Sequence, residues 1–311
     1  MRMLNKGRPL LVLALLGSVA TGCANSGESP RDADADTKET LRINRMDGYY
    51  EGADIKLPLD AYALTKEQRR DYRSVVYELS NACMKGFGLT WPRPIEQESR
   101  EGDNSRRYGV VDARHTKQFG YGVPLPEGVT HAEALKVGRQ NTERTRALPQ
   151  KTRDVYTGER VRNHAGKRVP KGGCRGEAYG ILGLPPQGMT STTLDALLYE
   201  SWDRARNHRI VLDAVVQWSA CMSEAGHTYK TPEDAVADSA WQRQGDPSRA
   251  ESATSTADVR CKRDAMLVEK WHAIEVKNQE RLIREKADVL KELGSQVKAL
   301  AKRIEQVRAE G

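Results

Sequence analysis

The sequence predicts a mainly α-helical chain: two disulfide-pinned helical repeats, an irregular basic insertion in the first, and a long C-terminal helix. Three observations predict it. Apolar residues recur at 3-4 spacing behind recognisable helix starts, no segment alternates as a half-buried strand would, and a cysteine-centred unit occurs twice.

The duplicated unit is the most informative of the three. Residues 81–94 read NACMKGFGLTWPRP, and residues 219–232 read SACMSEAGHTYKTP. Cys83, Gly88, Thr90, Trp91 and Pro94 answer to Cys221, Gly226, Thr228, Tyr229 and Pro232. A second pair of segments, GCRGEA around Cys174 and RCKRDA around Cys261, gives each half a second cysteine. The simplest inference is one bond per half, Cys83–Cys174 and Cys221–Cys261. The first cysteine of each pair sits near a helix C-terminus, where the following glycine takes the left-handed cap, and the second opens a helix. A redox site wants C-x-x-C, which is absent. The nearest zinc pair, Cys221 with His227, has leucine at the matching histidine position, Leu89. Structural disulfides are therefore expected, with no metal and no cofactor.

The elements follow in order. Thr65-Lys-Glu-Gln68 is a capping box, and a helix over 66–86 presents Tyr72, Val76, Leu79 and Cys83 on one face. Pro92 and Pro94 end it. Residues 95–109 read as polar loop, a short helix begins at Asp112, and Thr130 caps a helix of about ten residues. Residues 141–176 read as a basic loop. Thr192 or Thr193 starts a helix that bends near Asn207-His208 and resumes with Val211, Val215, Trp218 and Met222. Thr231-Pro-Glu-Asp234 is another helix start, stopped by Gly245-Asp-Pro247. SRAESATSTAD, 248–258, reads as a polar link. From about Thr256 to Arg308 one helix is expected, roughly 80 Å long. Ile283, Leu290, Val297 and Ile304 recur every seven residues, with Leu293, Leu300 and Val307 three after the last three. That seam fits a coiled coil through 283–307 with a partner or second copy, and equally a helix laid on this chain's own helices. The domains so read are 41–190 and 191–311.

The N-terminus reads as an address. Arg2, Lys6 and Arg8 precede an apolar run, Leu10–Ala20, too short for the roughly 20 residues of a membrane span. Small residues lead to Cys23, which resembles a lipobox, although Ala20 stands where leucine is commoner. Residues 1–22 are then a lipoprotein signal peptide, Cys23 the lipidated N-terminus and 23–40 a flexible tether. An ordinary secreted protein cut near Gly22 is the other reading. Lipidation would anchor the chain on the outer face of the cytoplasmic membrane and leave an even set of four cysteines.

Charge is local. The net charge is +7 over 311 residues, but Arg139–Lys171 alone contributes ten Lys/Arg against Glu143, Asp154 and Glu159. Arg160, Arg162, Lys167, Arg168 and Lys171 are the candidate contacts for an anionic wall polymer or lipid headgroups, against the alternative of a loop whose charges only keep it soluble. Nucleic acid is not expected, since the chain is exported and carries no nucleic-acid motif.

RRYGVVDARHTKQFGYGVP, VPKGGCRGEA and TADVRCKRDAMLVEKW, with the two A-C-M units, resemble a group of uncharacterised secreted lipoproteins of actinobacteria over most of 70–290. The resemblance implies an architecture and an address, and no activity.

Catalytic patterns are absent: no H-E-x-x-H, G-x-S-x-G, Walker loop or G-x-G-x-x-G. Asp112 and His115 could share a helix face. Trp91, Trp202, Trp218, Tyr229, Trp241 and Trp271 could line a sugar groove, but fit a core as well. The expected function is a non-enzymatic envelope lipoprotein that binds an envelope protein or an anionic wall polymer. The alternative is an envelope hydrolase acting on wall glycan or peptide with scattered carboxylates.

Overall fold

A computed structural model of the chain describes residues 43–97, 101–188, 192–241 and 245–310. The signal peptide, Cys23 and the tether lie outside them. The described residues form one compact unit, and it is mainly helical. Eleven α-helices occur among them, beside a single hairpin of two-residue strands.

Helix α1, Lys66–Gly86, starts as its capping box requires: Thr65 accepts from the Gln68 amide, and Gln68 reaches back to the Thr65 amide. It ends where Gly88 turns left-handed at φ 69° and the Leu89 amide donates to Met84 O at 2.9 Å. Helix α7, Arg209–Glu224, ends the same way: Gly226 stands at φ 86° and the His227 amide donates to Met222 O at 2.8 Å. The duplicated unit is thus a helix C-terminus closed by one cap geometry. Its disulfides pair within each half, Cys83 with Cys174 and Cys221 with Cys261, with Cα atoms 5.4 and 5.6 Å apart. The loops they close span 91 and 40 residues. In the chain-entropy model such loops stabilise by about 4.6 and 4 kcal/mol.

The second cysteines differ from each other. Cys174 opens α5, Gly173–Ile181, as expected. Cys261 lies near the C-terminal end of α9, Arg249–Asp264, because the 248–258 segment is helix and not a link. Ser248 caps it, accepting from the Glu251 amide. The polar character of this helix is its packing surface. Thr254, Ser255 and Asp258 are buried, and Thr256 and Ser255 hydrogen-bond Thr116 on α2, Ala113–Phe119. Small hydroxyl side chains let the two helices approach closely and satisfy each other.

The single C-terminal helix is three helices. α9 stops where Met266 adopts a left-handed φ of 50°. α10 runs Leu267–Glu285 and α11 Ala287–Glu310, with the break at Lys286. No Gly or Pro marks either break. Tertiary packing imposes them: the turn at Met266 sends Leu267, Val268 and Trp271 into the interior. Gly294 lies within α11 and does not interrupt it.

The heptad seam is covered by this chain. Val297, Leu300 and Ile304 pack with Leu64, Val75 and Leu182, and Leu290 packs with Leu59, Leu194 and Leu197. Burying each of these large side chains is worth about 2 kcal/mol. Of the two readings of 283–307, these contacts fit the helix laid on this chain's own helices. The halves also interleave, since α11 lies on α1 and α9 on α2, while α10 packs on α6, Thr192–Arg206, within the second half.

The basic segment is only partly loop. α3, His131–Arg146, and α4, Gln150–Thr157, take up its first part, so the helix capped by Thr130 has 16 residues, not ten. What remains carries the hairpin β1, Asn163–His164, with β2, Lys167–Arg168. Helix α8, Pro232–Val236, is capped by Thr231 and ends well before Gly245.

Candidate functional site

The segment Arg106–Asp112, irregular between its turns and the start of α2, threads between α6, α9 and α10. Arg106 donates to Glu101 and to the carbonyls of Tyr121 and Gly122. Arg107 Nε donates to Glu275 Oε1 at 3.0 Å, and the Tyr108 hydroxyl donates to Glu275 Oε2 at 3.0 Å. Ser201 and Gln279 donate to the same buried carboxylate. Burial, then the Glu275 charge, holds the Tyr108 phenol well above its ordinary range, so it stays a neutral donor. One helix away, the fully buried Lys262 ammonium donates to Val110 O at 2.9 Å and Asp258 Oδ2 at 3.0 Å, while Trp218 Nε1 donates to Asp258 Oδ1 at 2.9 Å. Each ion in this hub is neutralised by the fold itself. The sequence reading of 95–109 as polar loop missed the hub because Arg107 and Glu275 lie 168 positions apart.

Asp112 and His115 come together, with His115 Nδ1 3.3 Å from Asp112 Oδ2, beside a cleft of about 570 Å³. The carboxylate is already engaged. It caps α2, accepting from the Arg114 amide at 2.9 Å, and it accepts from Arg114 Nε and Nη2 at 3.0 and 2.7 Å. Burial raises its pKa and is the largest single influence. The Arg114 hydrogen bonds and the charges of His115 and Arg114 together outweigh it, so the group sits below the ordinary carboxylate range. A general base needs a lone pair facing the reacting proton. Here the lone pairs serve a helix cap. Elsewhere, His227 faces Thr254 at 3.1 Å rather than a metal partner. Among the described residues the one grouping with metal-ligand spacing is Cys83, Cys174 and Glu177. Its sulfurs are bonded to each other and offer no thiolate.

The six aromatic residues considered for a sugar groove fall into separate clusters. Trp91 stacks on Tyr156 at 3.7 Å, Trp241 packs with Tyr121 and Tyr229, and Trp202 packs with Trp271. Trp218 is fully buried. They do not form one groove.

The basic residues do converge. Val169 is buried with Met84, Val155 and Cys174, which seats the hairpin on the lobe closed by the first disulfide. Arg168 pairs across the hairpin with Asn163, and the Val169 amide donates to Arg162 O at 2.8 Å. Arg168 therefore stands on β2 and Arg162 on the residue leading into β1, both exposed, with Lys171 exposed just beyond. No acidic side chain pairs with these three among the described residues. Arg160 is held differently, at 2.9 Å from Asp154, and Lys167 Nζ donates to Gly86 O at 2.8 Å. Lys85 and Arg175 add charge to the same lobe from α1 and α5. What this arrangement can do chemically is hold anions, with exposed cations carried on a short hairpin.

No family model, curated protein or solved structure matches the chain.

Proposed function

We propose that the chain is an exported lipoprotein, anchored through Cys23 on the outer face of the cytoplasmic membrane, that works by binding an anionic wall polymer on its basic lobe. The observation that carries this reading is the exposed triad Arg162, Arg168 and Lys171, unpaired among the described residues and mounted on a disulfide-closed lobe. The signal-like N-terminus and the two disulfides support the address. A polymer fits better than a small anion, because the cations lie exposed along a hairpin and are not gathered in a cavity. The engaged state of Asp112 is why binding is preferred to hydrolysis.

The test is co-sedimentation of the full-length lipoprotein, in detergent, with isolated wall material. The proposal expects association at low salt that is lost when Arg162, Arg168 and Lys171 are changed to Glu. Equal association of that variant would remove the polymer. Release of soluble wall fragments by the pure protein would replace the binding reading with the hydrolase.

A further inference from the structure

We infer that α6 carries a glycan-binding platform built around Tyr199 and Trp202. This does not rest on the basic lobe, to which neither residue belongs. The two lie three residues apart on one helix face, with ring centroids 6.2 Å apart and planes inclined by 34°. Tyr199 is 65% exposed, the most exposed aromatic on the described surface. Trp202 is half-buried and fixed in place. Its Nε1 donates to Arg107 O at 3.1 Å, and the Arg206 guanidinium lies 5.6 Å from its ring centroid.

Two hollows share Trp202 in their walls. One, of about 430 Å³, is bounded by Tyr199 and Asp195. The other, of about 240 Å³, is bounded by Trp271 and Glu233. Both share Trp202, Arg106 and Arg107. Each hollow therefore offers an aromatic face and one carboxylate. Asp195 is exposed and has no partner among the described residues. Glu233 accepts from Arg206 through Oε1 at 2.7 Å, and its Oε2 has no donor among them.

This mixture selects a ligand chemistry. A pyranose whose substituents are all equatorial presents an apolar C–H face and a rim of hydroxyls. The rings can take the face, and free carboxylate oxygens can accept from the hydroxyls. A phosphate polymer would find no free cation here, because Arg106, Arg107 and Arg206 are engaged by Glu101, Glu275 and Glu233, and it would meet the unpaired Asp195 carboxylate. An apolar peptide would leave both carboxylates desolvated and unpaired. Two hollows sharing one indole suit two consecutive sugars of a β-linked glycan chain.

The probe is the β-1,4-linked tetramer of N-acetylglucosamine, titrated into the full-length protein and followed by calorimetry and tryptophan fluorescence. The platform predicts saturable binding that Tyr199→Ala weakens about tenfold, the equivalent of one lost stacking contact. Tyr199→Phe, which keeps the ring, should stay within about twofold of the parent. Asp195→Asn tests the rim and should weaken binding severalfold. Replacing Arg162, Arg168 and Lys171 by Glu should leave tetramer binding unchanged, which separates this site from the polyanion lobe. Absence of saturation up to about 10 mM, or wild-type affinity in Tyr199→Ala, would overturn the inference. Because Tyr199 is exposed, its loss tests the site without threatening the fold.

Discussion

Replacing Lys262 by Met is the sharpest test of the buried hub. Lys262 and Asp258 are both fully buried and 3.0 Å apart, one helical turn from each other on α9. Methionine keeps the length and apolar stem of lysine but removes the ammonium. Asp258 then retains the Trp218 indole and the neighbouring Tyr121 hydroxyl, both uncharged, and Val110 O loses its partner. Breaking one partner out of a buried pair costs about 3 to 5 kcal/mol, because the remaining charge has been taken out of water. Burial is the largest influence on Asp258 and already pushes its pKa up against the pull of Lys262. Without Lys262 that push grows. A carboxyl whose folded-state pKa is raised contributes stability that is present below the unfolded value, about 3.9, and is lost as pH rises through the folded value. The deficit of Lys262→Met relative to the parent should therefore shrink as pH falls from 7 toward 4. Urea denaturation at several pH values measures this. The double variant Lys262→Met with Asp258→Leu should recover most of the loss. A single-variant cost below about 1 kcal/mol, or a double variant as unstable as the single, would show that Lys262 is not what compensates the buried Asp258 charge.

Three further outcomes follow from the same structure. Cys83→Ser with Cys174→Ser should destabilise by about 4 kcal/mol and weaken polymer association, since the hairpin loses its anchored lobe; thermal melts and co-sedimentation check both. Gly88→Ala and Gly226→Ala should each cost about 1 kcal/mol in denaturant titrations, because both glycines hold a left-handed φ while an added Cβ meets nothing within 4 Å. Asp112→Asn keeps a cap but loses charge pairing with Arg114 and His115. Its folded-state pKa is depressed, so its contribution is complete above about pH 4 and drains as pH falls through the depressed value. The variant should lose about 1 to 2 kcal/mol at pH 7, with the gap closing in acid, as followed by circular dichroism.

Much of this architecture was legible because it is local. The Thr65 capping box, the Asp112 and Thr231 caps and the glycine after each A-C-M unit are written within a few residues, and the repeat then pairs the cysteines. What was not legible is tertiary. Nothing around Met266 or Lys286 breaks a helix by propensity; the breaks follow from where Trp271 and Leu290 must be buried. The polar stretch 248–258 hid a helix because its buried face is Ser, Thr and Asp satisfied by α2 and Lys262. The heptad seam was visible, but its partner, the Leu64 and Val75 face, was not. At the candidate sites, the count of cations could be read directly, whereas the Arg160–Asp154 pair that neutralises one of them needed coordinates. Tyr199 and Trp202 show a helical spacing that a core would also produce. Only exposure distinguishes them from Trp218.

On the proposed reading, charge on the hairpin lobe does the binding. The direct measurement is the salt dependence of association between the full-length protein and a soluble poly(glycerol phosphate). Affinity should fall steeply with salt, and the slope of log K against log salt should be shallower by about 2 when Arg162, Arg168 and Lys171 become Ala, at roughly 0.7 per cation. Binding that ignores salt, or an unchanged slope in that variant, would contradict it.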